Sequence, residues 1–502
     1  ECEFRERAFT YFQFMQEEGF SPDVATYLCI SKACDDFVTI KQGHRIHTDL
    51  LVRGWEGNLV MGSALIGMYA KCGLFDEAHS VLDGLPVRNT VSWNSLIAEY
   101  AEIGFGKEAL LCFHNMQLDG VLPDVITYTC CLKACGVIRD INIVEELHSR
   151  ITTRGYMIDP FIGSTLIDTY IKCGSLTKAQ EVFNMVSVRH VVAWTALMTG
   201  YAENGQHQEV FQLFEKMEEK GIDMDEISYG CLLKASSSGN ALDWGNLIHD
   251  RITKRGFYFN TVLGNALIDM YGKCHSLENA FYVFHQLPVQ NVISWSVLIS
   301  GLGEYGYLHE AIYYYDAMRH NGVAPNEVAF VCILKSCASQ NAVSKGMMMH
   351  LDAIKQGFDC DECVGNTLID MYAKCGSLND AYSVFETTVH RDVITWSTMA
   401  AGYTQQNKFA SVVEAFEQMK REGLEPDDVT FLGLLSTCAQ MGFLDEGCWL
   451  FSSMTEIYGL TPKISHFNCL ATLIANAGCW NEVDDLLQTM PFHPDIIGWT
   501  SL

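Results

Sequence analysis

Four stretches decide the fold: VSWNSLI (residues 91–97), VVAWTALM (191–198), VISWSVLI (292–299) and VITWSTMA (393–400). Their tryptophans, Trp93, Trp194, Trp295 and Trp396, stand 101 residues apart each time. Cys72, Cys173, Cys274 and Cys375 keep the same step inside YAKCG, YIKCG, YGKCH and YAKCG, and so do His47, His148, His249 and His350. A period this strict over most of a chain marks a repeat array.

Each 101-residue unit divides into hairpins of 35, 35 and 31 residues. In the first type the tryptophan is the fourth residue, as in Thr90–Asp124. The second type puts tyrosine there, as in Val125–Asp159 (ITYTCCLKAC). The short type is Pro160–His190 (FIGSTLIDTYIKCGSL). The order returns through Asp392. Downstream, Val393–Asp427 is regular, while Asp428–Lys463 and Ile464–Asp495 each run one residue longer. Residues 24–495 thus make fourteen repeats in one continuous array, after a partial repeat at 1–23. Within a repeat the apolar spacing is helical: Val91, Trp93, Leu96, Ile97 and Tyr100 fall mainly at three- and four-residue steps. A glycine turn follows at Gly104 and Gly106, then a second helix over 108–117. That helix stops before Asp119-Gly120 and Pro123-Asp124. Such a hairpin cannot bury its apolar face alone and must stack on its neighbours. The expected fold class is all-α, with no strands.

Composition narrows the function. The 502 residues are 49% hydrophobic, and no run of about 18 apolar residues offers a membrane span. Most of the 20 cysteines recur at one position per repeat within helical patterns, as buried reduced thiols do. The net charge of −28 argues against a simple electrostatic nucleic-acid binder, so RNA binding requires a local basic stripe. Two motifs imitate catalytic or metal sites. His207-Gln-Glu209 has deaminase-like His-x-Glu spacing, and Cys360-Asp-Glu-Cys363 is a Cys-x-x-Cys. A zinc deaminase needs a proline before its first cysteine and all ligands around one ion. Here the proline is missing and the halves lie in different repeats. A structural zinc lacks a second ligand pair. The periodic histidines occupy one helical position, which indicates packing or capping. The reading is therefore of no catalytic residues, no metal and no cofactor.

The VxWNSLI stretches, MYAKCGSLNDA (371–381), the LKAC-like stretches ending at Cys34, Cys135 and Cys337, and the Pro-Asp pairs before boundaries (Pro22-Asp23, Pro123-Asp124, Pro426-Asp427) resemble pentatricopeptide repeats. The alternation of three types resembles the plant class with P, L and S repeats, here the first, second and short types. The resemblance covers nearly the whole chain and implies a right-handed superhelical solenoid of helix-turn-helix repeats with a groove lined by first helices. Residues 496–502 resemble the start of the C-terminal E-type extension of RNA-editing factors.

Repeats of this family read single-stranded RNA at about one base per repeat with two or three side chains. By resemblance the fifth and last residues contact the base and the second wedges between bases. Carried over, Ser63 with Asn89 implies A, Asn94 with Asp124 U, and Thr195 with Asp225 G. Asn265 with Asn291 implies a pyrimidine, Ser296 with Asn326 A, and Asn366 with Asp392 U. Ser397 with Asp427 implies a purine, with G favoured, and Asn468 with Asp495 implies U. Ser164 with His190 departs from the pattern. The second-type repeats carry Leu28, Gly230, Val331 and Leu432 at the fifth place; only Thr129 with Asp159 resembles a reading pair among them. The implied target is 5′-AUnnGnYAnURnU-3′. The chemistry is sensible, because an amide both donates and accepts whereas a carboxylate only accepts.

The wedge positions are Val60, Val91, Phe161, Val192, Val262, Ile293 and Ile394; helix packing is the competing reading of these residues. Cys363 and Ser465 vary the pattern. Lys71, Lys172, Lys273 and Lys374 recur in the short repeats and are candidates for phosphate contact, and Lys32, Lys133, Lys234 and Lys335 recur in the second type. Glu102, Glu203 and Glu304 stand at the matching place in the first type, so a basic groove would be patchy.

The resemblance implies sequence-specific RNA binding in a mitochondrion or chloroplast, as the specificity factor of C-to-U editing with the deaminase elsewhere. No transit segment opens the chain, which begins mid-pattern. Protein editing cofactors facing the second-type repeats are a further expectation. The alternatives are RNA splicing or stabilisation by the same mode, or a protein-binding scaffold. A peptide scaffold has no evident reason to restrict the fifth and last residues, yet eight of the nine first- and short-type pairs fit the restriction.

Overall fold

The structure is a computed structural model describing residues 2–34, 40–55, 57–186, 190–257, 260–388, 390–406, 408–479 and Leu486. Among them are 28 α-helices and no strand. Among the described residues no helix is long and apolar enough to cross a membrane. The chain forms two compact units, Glu1–Gly239 and Asn240–Leu502.

In the first unit, helices Leu59–Lys71, Thr90–Ile103, Val125–Ile138, Pro160–Lys172, Val191–Glu203 and Glu226–Ser238 pack side by side as a row of first helices. The first five are each followed, within this unit, by a second helix on the same hairpin, such as Gly106–Leu118 after Thr90–Ile103. The hairpin expected from the sequence is therefore present, its helices one to two residues longer at each end than the apolar pattern marks. The second unit repeats the arrangement from Thr261–Lys273 through Val292–Glu304, Glu327–Ser339, Glu362–Lys374, Val393–Gln405 and Asp428–Met441 to Ile464–Asn476. The C-terminal extension inferred at 496–502, and Asp495, lie outside the described residues.

The fourth residue explains the three repeat types. It is buried at the seam with the preceding hairpin, where it meets that hairpin's second helix. Trp93, Trp194, Trp295 and Trp396 are buried. The last three meet Phe183, Phe284 and Phe385 of the preceding short repeat edge-on, with ring centroids 4.7–4.8 Å apart. Such aromatic pairs contribute about 0.5–1.5 kcal/mol beyond their buried area. Tyr128 and Tyr229 fill the place in second-type hairpins. Short repeats have glycine there because their second helix has only ten residues and the chain then crosses the first helix directly. A Cβ on Gly62 would lie 2.4 Å from Leu85, and one on Gly264 would lie 2.3 Å from Leu287.

The periodic histidines join neighbouring hairpins. His47, His148, His249 and His350 place Nδ1 2.8–3.0 Å from the hydroxyls of Tyr69, Tyr170, Tyr271 and Tyr372. This is the packing role the sequence indicates. Burial pushes His148, His249 and His350 below the usual imidazole range and Tyr170, Tyr271 and Tyr372 up to about 12. Cysteines such as Cys34, Cys135 and Cys337 are buried thiols; burial raises Cys135 to about 12. Cys360 and Cys363 are exposed, and among the described residues no three His, Cys, Asp or Glu side chains gather as a metal site.

Candidate nucleic-acid interface

The last residue of a repeat is the N-cap of the next first helix. Asn89, Asp124, Asp225, Asn291, Asn326, Asp392 and Asp427 hold extended backbones, with ψ within 6° of 180°. Each side-chain oxygen accepts the backbone N–H three residues on. Before short repeats, Asn58, Asp159 and Asn260 cap at ψ 113–121° and accept two N–H groups each. Asn and Asp are favoured at this position because they satisfy otherwise orphaned donors. This amends the sequence argument. Capping alone gives any stacked-hairpin scaffold a reason for Asp or Asn at the last place, so discrimination rests on the fifth residue. His190 makes no side-chain cap bond and also departs from the pairing pattern; Lys463, another last residue, makes no side-chain cap bond either.

The fifth residues lie on the first helices, mostly buried at their edge: Ser63, Asn94, Thr195, Asn265, Ser296 and Ser397 are 3–9% exposed. Fifth and last residues of one repeat, about thirty apart in sequence, come together. Asn94 Nδ2 donates to Asp124 Oδ1 at 3.0 Å, and Ser296 Oγ to Asn326 Oδ1 at 2.8 Å. Thr195 meets Ser228 at 2.7 Å, and Ser228 Oγ lies 2.7 Å from Asp225. Ser397 reaches Asp427 through Thr430, and Asn265 reaches Asn291 through Ser294. At Asn366 the linkage is missing: Thr395 bonds Asp392, and the buried Asn366 Oδ1 has no partner. Ser63 instead bonds the carbonyl of Leu59 at 2.8 Å. Asn468 lines an open groove with Leu432 and Ser465 in the second unit.

These contacts set the carboxylates. Burial raises Asp124, but hydrogen bonds from Thr127 and Asn94 outweigh it and hold the carboxyl below the usual range. Asp392 is likewise lowered, burial opposing and the Thr395 bonds prevailing. Both therefore remain acceptors at neutral pH. In the first unit Thr195, Asp225, Ser164, Lys133 and Lys172 line one open groove of about 500 Å³.

The wedge candidates Val60, Val91, Phe161, Val192, Val262, Ile293 and Ile394 are 53–75% exposed, so packing within the hairpin does not account for them. The second-type repeats expose the same position in Ile126, Ile227, Val328 and Val429, which the sequence reading passed over. Their β-branched character one residue after the boundary was the available signal.

The lysine row needs correction. Lys172, Lys273 and Lys374 are paired with Asp168, Asp269 and Asp370 one helical turn earlier, at 2.7–3.0 Å. Lys71 has Gly67 in that place, and Lys133 pairs with Glu102 of the preceding hairpin. Each pairing is exposed and worth about 0–1 kcal/mol, so a phosphate can compete for the lysine, but the row carries less free positive charge than its spacing implies.

Fold and face together define a helical-repeat protein whose first helices present a repeated polar pair beside a repeated apolar side chain. The PPR repeat family matches residues 88–136, 189–237, 290–339 and 391–440, and the PPR repeat matches 63–89, 164–190, 265–292, 366–392 and 429–457. The chain belongs to the pentatricopeptide repeat family. A chloroplastic member from Arabidopsis thaliana is 31% identical over 499 residues, 99% of this chain and 57% of its own length. A mitochondrial member from the same plant is 32% identical over 487 residues, 97% of this chain and 70% of its own. The chain thus spans little more than half of some relatives. Pentatricopeptide repeat protein PPR10 from maize superposes with a TM-score of 0.65 at 19% identity, covering 99% of this chain and 73% of PPR10. PPR10 in complex with an 18-nt psaJ RNA element gives 0.58 at 18% identity, covering 97% and 78%. These likenesses show the fold.

Proposed function

We propose that the chain binds single-stranded RNA in a plant mitochondrion or chloroplast, one base for each hairpin with a polar fifth residue, and directs C-to-U editing by a deaminase elsewhere. The carrying observation is the bonded fifth–last pair, repeated at Asn94–Asp124, Thr195–Ser228–Asp225, Ser296–Asn326 and Ser397–Thr430–Asp427. Capping requires the last residue alone; it does not require a buried polar partner from the preceding helix. Exposed branched side chains beside each pair offer flat apolar surface to a base, though less than aromatic platforms, which contribute about 1–3 kcal/mol per base. PPR10 in complex with RNA supports the mode, and the chloroplastic and mitochondrial relatives support the compartment. The three-type alternation supports editing. Second-type hairpins with Leu28, Gly230, Val331 and Leu432 at the fifth place suit a protein cofactor instead.

The test is a salt-titrated binding comparison of 5′-AUnnGnYAnURnU-3′, the same bases shuffled, and the matching single-stranded DNA. Preference for the designed RNA by about tenfold, equivalent to about 1.4 kcal/mol, is expected. Equal binding to all three, vanishing steeply with salt, would reduce the interaction to phosphate contacts.

A further inference from the structure

The third residue of a repeat, already met as a link in several of these pairs, closes the preceding repeat's site. Thr127, Ser228, Ser294 and Thr430 are at most 4% exposed. Each hydroxyl stands between the fifth and last residues of the repeat before it. Thr127 Oγ1 lies 2.6 Å from Asn94 Oδ1 and 2.9 Å from Asp124 Oδ1. Ser294 Oγ lies 2.7 Å from Asn265 Oδ1 and 3.0 Å from Asn291 Oδ1. Ser228 and Thr430 are each 2.7 Å from the hydroxyl of Thr195 or Ser397 and 2.7 Å from the carboxylate of Asp225 or Asp427.

We infer that this third-residue hydroxyl is a positioning residue that fixes which hydrogen-bonding polarity the fifth residue of the preceding repeat offers to a base. The inference rests on the RNA-reading proposal. A hydroxyl carries one proton. Beside Asn94 and Asn265 the hydroxyl donates to the nearer amide oxygen, turning that oxygen inward. Asn94 Nδ2 spends one hydrogen on Asp124 and keeps the other for a ligand. Beside Thr195 and Ser397 the hydroxyl gives its proton to the carboxylate, which only accepts. The proton of the fifth residue then goes to that hydroxyl or, for Thr195, to the Val191 carbonyl 2.9 Å away, and either way the fifth residue's oxygen is left with lone pairs. Amide readers thus keep an N–H to offer, and hydroxyl readers offer an acceptor. An acceptor suits the N–H-bearing edge of G, and an amide suits a pyrimidine with its carbonyl oxygens. Burial sharpens the effect, because a misdirected polar group there has no water to correct it.

Other repeats vary: Ser92 Oγ turns to the Asn89 backbone and not to Ser63, and Ala193 has no hydroxyl. Ala329 has no hydroxyl, and Ser296 bonds Asn326 directly. Ala329 also shows that the position accommodates alanine. At Asn366 the hydroxyl of Thr395 reaches only Asp392, which leaves the amide oxygen unheld.

The experiment measures binding of wild type, Ser228→Ala, Ser228→Thr and Thr127→Val to the designed RNA with each of four bases at its second and fifth positions, alongside thermal melts. Ser228→Ala should lower the preference for G at the fifth base about fivefold, roughly one net hydrogen bond, and leave the second base's U preference intact. Thr127→Val should do the reverse, and Ser228→Thr should retain wild-type preference. Folded Ser228→Ala and Thr127→Val with unchanged preferences would overturn the inference, as would equal loss at both bases. Absence of any base preference in wild type would instead refute RNA reading itself, a result visible before any variant is considered.

Discussion

Hairpins 191–225 and 226–260 share a backbone plan and differ at one decisive point. Both begin with a first helix, Val191–Glu203 after His190, whose side chain makes no cap bond, or Glu226–Ser238 capped by Asp225, and both expose a branched second residue, Val192 or Ile227. Both bury an aromatic fourth residue, Trp194 or Tyr229. At the fifth place, however, one has Thr195 bonded toward Asp225, and the other has Gly230. Stacking is thus shared by these hairpins and capping by most, and a polar reading pair is added to only some. Fold and recognition should therefore respond separately to mutation.

The largest expected separation is at the fourth residue. Trp194→Ala removes a buried indole packed on Phe183, which should cost about 3–5 kcal/mol in denaturant unfolding, with no change in the preferred base at distant positions. Next come the caps. Asp225→Ala and Asn260→Ala each remove a helix N-cap and should each cost about 1 kcal/mol, but only Asp225→Ala should erase the preference at its base. Equal losses of base preference would break the distinction between hairpins. Acid should act in two stages. The half-buried His148, His249 and His350, held below the usual imidazole range, protonate more readily in the unfolded chain, so stability falls as pH drops below about 6.5. The lowered Asp124 and Asp392 contribute stability above about pH 4 that is lost as pH falls through their folded values. A melting-temperature series across pH checks both stages. The smallest effect belongs to Lys172→Ala: because Asp168 already pairs with it, the slope of log affinity against log salt should change by less than the about 0.7 that a full single-strand phosphate contact gives.

The array was legible because one period governs tryptophan, cysteine and histidine together. Helical hairpins, buried thiols and packed histidines followed from that period and from apolar spacing. Other features depend on atoms brought together across a hairpin. Gly62 and Gly264 sit inside first helices, and only the crossing of Leu85 and Leu287 explains them. The spacing of Lys172, Lys273 and Lys374 was visible, but their neutralisation by Asp168, Asp269 and Asp370 required attention to the same helix face. The double duty of Asp124 or Asp225, cap and partner at once, was hidden because one residue type satisfies both demands. Ser228 was invisible for the opposite reason: its partners Thr195 and Asp225 belong to the preceding repeat.

The most direct test of base reading changes one side chain. Thr195→Asn keeps Asp225 as cap and replaces a hydroxyl by an amide, reproducing the Asn94–Asp124 pair on another helix. Binding would be measured against the designed RNA carrying G, U, A or C at the fifth base. A switch of preference from G to U, with the second base still read as U, is the predicted result. An unchanged preference for G in a folded variant would contradict recognition through the fifth–last pair.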